Sequence, residues 1–474
     1  MGKNYYIVAI ELCSSKVSGA IGIETTEGMK ILSTASTPVD GFISKGVVRN
    51  VDKTSRAISR IIDMLEGDLK DVSIKKAYIS FAGLSMHSIK SKVSSNFGQY
   101  TKITKDIIDN MERENEETFI VPEGYIKLQV DTQEYKYDGN VDYNPIGAPA
   151  SSIECNYLNI VMKEQFYKQL CESFKGAEIE IADSLCAARL DADIMLSNDQ
   201  RRNGCALVNI GADTTTISIY NNNHQRKLTI LPFGGNNITR DITNEHLSLA
   251  NAEEIKIIRG YKSAANDNEY IDGKTLDSII NARMGEILQN VRHQLEMSGE
   301  RVHYVVFTGG GSKLKNLGLL LEEFLPGFKT EIKPEPQLNL ISESITNVDG
   351  VITTALYGLL KQGKENCCEE IMPTQPNENI FSQEEMNGLE EKKSDNEKEK
   401  INAQEEEKQR KEEEKRKKEE EKRRKEEEKI KRQQEKKDKP KGLGLGSLFA
   451  QWLQDVTSDP EDDKSNENNN NDNQ

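Results

Sequence analysis

Two short turns carry residue types that bind phosphate. The segment "ELCSSK" at 11–16 joins two apolar runs and brings two hydroxyls, a thiol and a lysine together. The segment "NIGADTT" at 209–215 places a glycine and two threonines between two further apolar runs. If the turns face each other across a cleft, their backbone N–H groups could hold a polyphosphate from both sides. Either turn alone is also consistent with an ordinary polar hairpin.

A third segment has the composition of a nucleoside site. In "HYVVFTGGGSKLKNL" an apolar run at 303–308 predicts a buried strand, and Gly309–Gly311 follow it before a helix capped by Ser312. Without Cβ atoms a base or sugar can lie directly on the backbone, although a tight turn uses the same residues. Glu253 and Lys256 share one face of a predicted helix, where they could bind a ribose or form a surface ion pair.

These segments recur within a repeated order of elements. Period-two alternation predicts strands at 5–11, 16–23 and 28–34, and a helix over 53–65 precedes a strand at 76–81. The same order returns about two hundred residues later, at 205–210, 211–220 and 226–233, where Gly234 and Gly235 lead into a helix near Ile238. We therefore predict two similar halves.

Composition narrows the class of partner. The net charge is −16, from 63 basic and 79 acidic residues, which argues against nucleic acid and favours protein partners. Seven cysteines show no C-x-x-C pair, which is typical of buried thiols in a reducing compartment and predicts no zinc site. Neither a signal peptide nor a run of about 20 apolar residues is present, so we expect a cytoplasmic protein that meets a membrane only from its surface.

Four longer segments resemble one known family over residues 1–362. They are "GFISKGVVRNVDKTSRAI" at 41–58, "YNPIGAPASSIECNYLNIV" at 143–161, "LPFGGNNITRDI" at 231–242 and "NVDGVITTALYGLL" at 347–360. With the two turns, they resemble the FtsA family of bacterial actin-like cell-division proteins, within the actin, hexokinase and Hsp70 superfamily. The resemblance implies an α/β, actin-like fold: a duplicated, ribonuclease H-like pair of domains with an inserted α+β subdomain.

The resemblance also implies a domain organisation. The expected parts are a first actin-like domain (1–81 and 165–197), an inserted subdomain (82–164), a second actin-like domain (198–245 and 300–362) and its subdomain (246–299). The inserted subdomain argues against rod-shape actins and sugar kinases, and it is shared in related form by the type IV pilus assembly protein PilM, the alternative family.

By resemblance, the three glycine- and hydroxyl-rich segments bind ATP with Mg²⁺. The implied nucleotide-binding residues are Cys13, Ser14, Ser15, Lys16, Gly211, Thr214, Thr215, Gly234, Gly235, Glu253, Lys256, Gly309, Gly310, Gly311 and Ser312. Glu11 and Asn209 stand where the family has Asp, and such carboxylates orient the hydrated Mg²⁺ and the attacking water. Asp213 adds a negative charge beside the second turn. We therefore expect nucleotide binding with slow or absent hydrolysis and no confident catalytic residue.

The C-terminal segment divides into three parts. Residues 363–441 are a Glu, Lys and Arg linker, in which acid-first i,i+4 pairs over 405–438 could hold a lone helix, with disorder as the alternative. Residues 442–457 predict an amphipathic membrane-targeting helix after a basic approach, and docking onto the globular body is the other possibility. An acidic and Asn-rich tail follows at 458–474. The predicted membrane-binding residues are Leu445, Leu448, Phe449, Trp452, Leu453 and Val456.

The resemblance implies a scaffolding function. It predicts a protein that tethers the tubulin-like division protein FtsZ to the cytoplasmic face of the inner membrane at the division site. Copies of the chain would polymerise and recruit later division proteins, and the FtsZ site would lie near 246–299. The alternatives are a PilM-type pilus assembly protein, or an actin-fold ATPase or small-molecule kinase.

Overall fold

The structure is a computed structural model of the 474-residue chain, and it describes residues 5–69, 72–261, 271–335 and 351–370. The predictions for residues 371–474, including most of the charged linker, the membrane-targeting helix and the acidic tail, lie outside the described residues. In the part that is described, no helix is both long enough and apolar enough to cross a membrane.

The first half of the chain forms a five-stranded sheet. Its elements are β1 (Ile7–Leu12), β2 (Lys16–Thr25), β3 (Gly28–Pro38), the short pair β4 (Ile43–Ser44) and β5 (Val47–Val48), α1 (Val51–Gly67), β6 (Val72–Ile74) and β7 (Lys76–Phe81). β1 is buried almost throughout because it lies between β2 and β7, and this explains its unbroken apolar run. Asn50 caps α1 by accepting a hydrogen bond from Lys53 N, and the helix buries Ile58, Ile61 and Leu65.

A second unit is inserted after β7. It consists of β8 (His87–Lys102), α2 (Lys105–Thr118), β9 (Tyr125–Tyr137), β10 (Asn140–Asp142) and β11 (Pro149–Lys163), with strand order β10-β9-β11-β8. It has a small apolar cluster of its own around Tyr157 and Met111. The chain then returns to the first sheet through α3 (Glu164–Gly176) and β12 (Glu180–Cys186), and continues into α4 (Ala187–Met195) and α5 (Asn198–Asn203).

The second half repeats the sheet. It contains β13 (Cys205–Ile210), β14 (Thr215–Asn221), β15 (His224–Leu231), α6 (Gly235–Thr243), α7 (Leu249–Tyr261), α8 (Gly273–Glu296), β16 (Tyr304–Thr308), α9 (Leu317–Phe324), β17 (Lys329–Ile332), α10 (Thr354–Gln362) and β18 (Cys368–Glu370). The first sheet has the order β3-β2-β1-β7-β12 and the second β15-β14-β13-β16-β17. In each, three antiparallel strands are followed by two parallel ones, so the predicted duplicated, actin-like fold is confirmed.

Two details differ from the sequence-based expectations. Ser312 does not cap an α-helix: Gly310–Lys313 form a single 3₁₀ turn, and α9 begins only at Leu317. The Ser312 hydroxyl donates to Gly309 O at 2.7 Å, so it closes the glycine turn instead. In addition, the predicted second domain includes residues 351–362, whereas α10 packs in the first core on β1 and α4.

Candidate functional site

A cleft of about 460 Å³ lies where the turns of the two sheets meet. The β1–β2 turn lines one side, and the β13–β14 turn and the glycines after β16 line the other. Residues from α4, α7 and the N-terminus of α10 complete the wall. The repeated fold therefore brings together segments that are more than three hundred residues apart in sequence.

The β1–β2 turn is tight and tied to a neighbouring loop. Cys13 N donates to Lys16 O at 3.0 Å, which closes the turn, and the Ser14 hydroxyl accepts from Gly46 N at 2.9 Å. Lys16 reaches across to Val351 O at 3.4 Å. Burial raises the pKa of the Cys13 thiol well above its usual value, and the neighbouring Glu11 adds to the shift. Cys13 is therefore a protonated thiol near neutral pH.

Glu11 is a buried carboxylate at the end of β1. Burial raises its pKa, although hydrogen bonds from Thr353 and Cys13 and the charge of Lys16 act in the opposite direction. Thr353 donates its hydroxyl to Glu11 while its own oxygen caps α10 by accepting from Leu356 N at 3.0 Å. The helix end therefore fixes the position of this carboxylate.

The second half holds an equivalent arrangement around a neutral residue. Asn209 donates through Nδ2 to Asp191 of α4 at 2.8 Å, and Thr354 donates its hydroxyl to the same carboxylate. Burial raises the pKa of Asp191 to about 6, against the effect of these two hydrogen bonds. The sequence analysis missed Asp191 because its partners come from β13 and α10, and no local spacing connects them.

Asp213 joins the second turn to the first half. It accepts from Lys45 N at 2.9 Å, from the Ser44 hydroxyl at 3.2 Å and from Asn236 Nδ2 at 2.8 Å. The guanidinium of Arg240 lies 3.7 Å away. Because Gly46 of the same β4–β5 loop also contacts Ser14, this loop connects the two turns.

The three glycines after β16 have different surroundings. Gly309 has a φ of 87°, and a Cβ there would lie 2.3 Å from Asn209 Oδ1. A Cβ at Gly311 would lie 2.3 Å from Ile210 Cγ2. A Cβ at Gly310 would meet no atom within 4 Å. Gly309 and Gly311 are thus required for packing, whereas Gly310 presents bare backbone to the cleft.

Glu253 and Lys256 form an ion pair and also line the cleft. The Lys256 ammonium donates to Glu253 at 2.7 Å, to the Thr239 hydroxyl at 2.8 Å and to Gly235 O at 3.2 Å. Burial lowers the pKa of Lys256, while the contact with Glu253 raises it. The ion pair is therefore present, although Lys256 is buried and not at the surface, and both residues remain available to a ligand in the cleft that they line.

The cleft brings most of the predicted residues together. Those that line it are Cys13, Ser14, Ser15, Lys16, Gly211, Thr214, Gly235, Glu253, Lys256, Gly309, Gly310 and Gly311, together with Glu11, Asn209 and Asp213. Thr215, Gly234 and Ser312 are not among the lining residues; Thr215 and Ser312 bond to the backbone behind the wall. Lining residues that the sequence analysis did not identify include Asp191, Asn236, Lys313, Glu335, Thr353 and Thr354.

The side chains of the cleft that could coordinate a metal indicate how it could hold Mg²⁺. Within the described ranges there is no group of three or more His, Cys, Asp or Glu side chains placed to hold a metal. Glu11 and Asp191 supply carboxylate oxygens, and a bound polyphosphate would have to supply further oxygens. The residues thus fit an ion that arrives with a nucleotide better than one held by the protein alone.

Comparison with known proteins identifies relatives with one shared description. A family model described as cell division protein FtsA matches residues 206–347. The chain is 26% identical to the cell division protein FtsA of Porphyromonas gingivalis over 393 residues, covering 78% of this chain and 80% of the relative. It is 23% identical to the FtsA of Escherichia coli over 388 residues, covering 76% and 90%. For the Bacillus subtilis FtsA the identity is 25% over 348 residues, covering 69% and 78%.

Among solved structures, the fold is similar to one described as a PilM-PilN type IV pilus biogenesis complex. The TM-score is 0.55 with 16% sequence identity, covering 75% of this chain and 98% of the other. At this identity the likeness concerns the fold alone. Together with the repeated five-stranded sheet, the sequence matches make the chain an actin-like homologue of the cell division protein FtsA.

Proposed function

We propose that the chain is a nucleotide-binding scaffold that tethers FtsZ to the cytoplasmic face of the inner membrane during division. The observation that carries this proposal is the convergence of two equivalent turns and a glycine segment on one cleft in an FtsA homologue. Polymerisation of the chain and recruitment of later division proteins belong to the same proposal.

ATP would lie across the cleft between the two halves. The backbone N–H groups of the two turns and the ammonium of Lys16 would hold the phosphates. The ribose would bind Glu253 and Lys256, and the base would lie on the bare backbone at Gly310. Glu11 and Asp191 would help to hold Mg²⁺, which would supply positive charge against the phosphates.

Slow or absent hydrolysis is part of the proposal. Glu11 is fixed by Thr353 and carries a raised pKa, so its carboxylate is poorly available to orient water. Asn209 carries no charge, and its Nδ2 donates a hydrogen bond to Asp191. A scaffold that uses nucleotide to set its conformation does not need rapid turnover.

A partner surface in 246–299 has physical support. Leu249 is 62% exposed, and Ile257 and Ile258 on the same helix, α7, are also exposed. Exposed apolar side chains grouped on one element are typical of protein contact sites. We assign this surface to FtsZ, and the amphipathic segment 442–457 with Trp452 to the membrane.

Reconstitution on vesicles tests the scaffold. FtsZ polymers should pellet with anionic vesicles only when the full chain is present. Trp452→Glu should abolish pelleting of both proteins because it places a charge on the buried face. Gln454→Glu, which adds the same charge on the polar face, should leave pelleting unchanged. If Trp452→Glu pellets like the unmodified chain, the segment does not anchor the protein.

Calorimetry with Mg²⁺ and adenine nucleotides tests the cleft. Gly310→Trp should abolish binding because the indole would fill the space assigned to the base, while the melting temperature stays near that of the unmodified chain. Absence of binding heat in the unmodified chain would remove nucleotide from the proposal. The vesicle experiment would still test the tether.

A further inference from the structure

We infer that Asp213 makes the cleft select nucleoside diphosphates over nucleoside triphosphates. The inference rests on the proposed nucleotide site and adds a specificity that the fold alone does not imply. Its basis is the position, burial and charge of one carboxylate at the end of the cleft where the two phosphate-type turns meet.

Asp213 lies at the junction of the two halves. Its side chain is 6% exposed and accepts hydrogen bonds from the first half through Ser44 and Lys45. From the second half it accepts from Asn236, which also lines the cleft. The Asp213 carboxylate therefore accepts hydrogen bonds from N–H and O–H groups on both sides of the junction. Groups of this kind can also bind an anionic ligand.

The charge around Asp213 is only partly compensated. Its three hydrogen-bond donors are neutral groups. The guanidinium of Arg240 is 3.7 Å away and 58% exposed, so solvent screens its charge. Asp213 thus retains much of its negative charge toward the cleft.

The cleft lysines are distributed unevenly. Lys256 is held by Glu253 at 2.7 Å, and Lys313 by Glu335 at 2.6 Å, both on the second-half side. Among the described residues beside the two turns, Lys16 is the lining lysine, and the carboxylates of Glu11, Asp191 and Asp213 also line the cleft there. Acids thus outnumber bases where phosphates would bind.

A third phosphate adds negative charge, which increases the electrostatic repulsion from the carboxylates beside the two turns. At an effective dielectric of about 20, one like charge roughly 12 Å away weakens binding by about tenfold, and a closer one weakens it more. Buried charges are screened little by salt, so the discrimination should persist at physiological ionic strength. ATP would still bind, but more weakly than ADP.

A purely structural role of Asp213 makes a different prediction. If the carboxylate only joined the β4–β5 loop to the second turn, its loss would weaken ADP and ATP equally. The ratio of the two dissociation constants therefore separates specificity from packing. Asp213→Asn keeps an acceptor for Lys45 N and removes the charge, while Asp213→Gly removes the side chain altogether.

The experiment is competition of ADP and ATP against a fluorescent ADP analogue on the full chain, in Mg²⁺ and physiological salt. We expect the unmodified chain to bind ADP about tenfold more tightly than ATP, and both Asp213 variants to reduce this ratio to about twofold or less. Glu245→Gln, an exposed acid just after α6, removes the same charge outside the cleft and should keep the original ratio.

The outcomes are distinct. Equal affinities in the unmodified chain, or an unchanged ratio in Asp213→Asn, overturn the inference while leaving the nucleotide site intact. A reduced ratio in Glu245→Gln also overturns it, because the effect would then come from overall charge. If neither nucleotide displaces the analogue and calorimetry gives no binding heat, the proposed nucleotide site fails, and the inference fails with it.

Discussion

The two five-stranded sheets share one strand order, but their outer antiparallel strands have different surroundings. β15 is covered by the inserted unit: Leu228 N donates to the Ser88 hydroxyl at 2.8 Å, and Arg226 pairs with Glu134. β3, its counterpart, ends the first sheet and packs against α1. The difference shows that the buried strands keep the repeat, whereas edges and turns are free to acquire separate roles.

The same contrast holds for the turns. The first turn begins with an acid, Glu11, which is fixed by a hydrogen bond from Thr353. The equivalent residue of the second half, Asn209, is neutral, and its carboxylate partner Asp191 comes from α4. Thr353 and Thr354 are consecutive, so the N-terminus of α10 contacts both carboxylates. The halves thus differ in chemistry at positions that the fold makes equivalent.

The largest effect should come from uncovering β15. Arg226 and Glu134 are both nearly buried. Burial raises the pKa of Glu134, but the hydrogen bonds from Arg226 and Asn156, together with the charges of Arg226 and Lys136, bring it below its usual value. Arg226→Ala leaves a buried carboxylate unpaired and should cost about 3–5 kcal/mol of unfolding free energy. Denaturant unfolding measures this.

The matched control for this prediction is a surface ion pair that also joins the inserted unit to the second half. Lys90 pairs with Glu300 at 2.9 Å and is 59% exposed, so Lys90→Ala should cost less than about 1 kcal/mol. A similar loss in both variants would mean that burial does not distinguish the two contacts, and that β15 is no more dependent on its cover than an ordinary surface strand.

The next effect concerns the glycines that follow the fourth strand of the second sheet. Gly309→Ala should destabilise the chain by about 3 kcal/mol, since its backbone favours glycine and the new Cβ would meet Asn209 and Ile210 O at 2.3 and 2.6 Å. Gly310→Ala should change stability by less than about 1 kcal/mol because space is open there. Differential scanning calorimetry of both variants checks the contrast, and equal losses would contradict it.

Sequence reasoning succeeded where one segment determines its own structure. The unbroken apolar run of β1 and the three-four spacing of Ile58, Ile61 and Leu65 in α1 each report local burial. It failed where partners come from distant elements, as for Asp191 and Thr354, or where the backbone decides, as at Ser312. Asp213 was noticed as a charge, but no pattern connects it with Ser44 and Lys45.

The carboxylates of the two halves can be compared by pH. Asp191 has a folded pKa of about 6, above its usual value of 3.8, so the native state binds more protons between these values and loses stability as pH rises through them. Asp191→Asn removes that loss, and its amide oxygen can still accept from Asn209 Nδ2 while its own Nδ2 donates to the Thr354 hydroxyl oxygen. In EDTA without nucleotide, the variant should match the unmodified chain near pH 4 and exceed it by up to about 3 kcal/mol above pH 6.

Thermal unfolding at several pH values measures this difference. Asp193→Asn on the same helix is the control, since Asp193 lies outside the cleft and pairs with Arg201 at 2.7 Å. A gain that is equal at pH 4 and pH 7 would mean that Asp191 does not carry a buried charge. Neither Asp191 nor Asn209 would then place a negative charge at this position of the second half.

The smallest expected effect is a change in the barrier to hydrolysis. It is tested by a variant in which both turns carry Asp. Asn209→Asp alone would place two carboxylates in contact, since Asn209 and Asp191 are 2.8 Å apart. The informative variant therefore combines Glu11→Asp and Asn209→Asp with Asp191→Asn, which keeps the number of charges constant. A shorter, less constrained acid in the first turn and a charged one in the second should orient Mg²⁺ and water better.

We expect this triple variant to release phosphate from ATP at least about tenfold faster than the unmodified chain, which corresponds to about 1.4 kcal/mol of barrier. Asn209→Asp by itself should show no such gain, because repulsion from Asp191 would favour a shared proton over a second charge. Turnover of the unmodified chain already near the ~10 s⁻¹ typical of enzymes would contradict the argument. It would mean that Glu11 and Asn209 are competent as they stand, and that the difference between the two turns has no catalytic consequence.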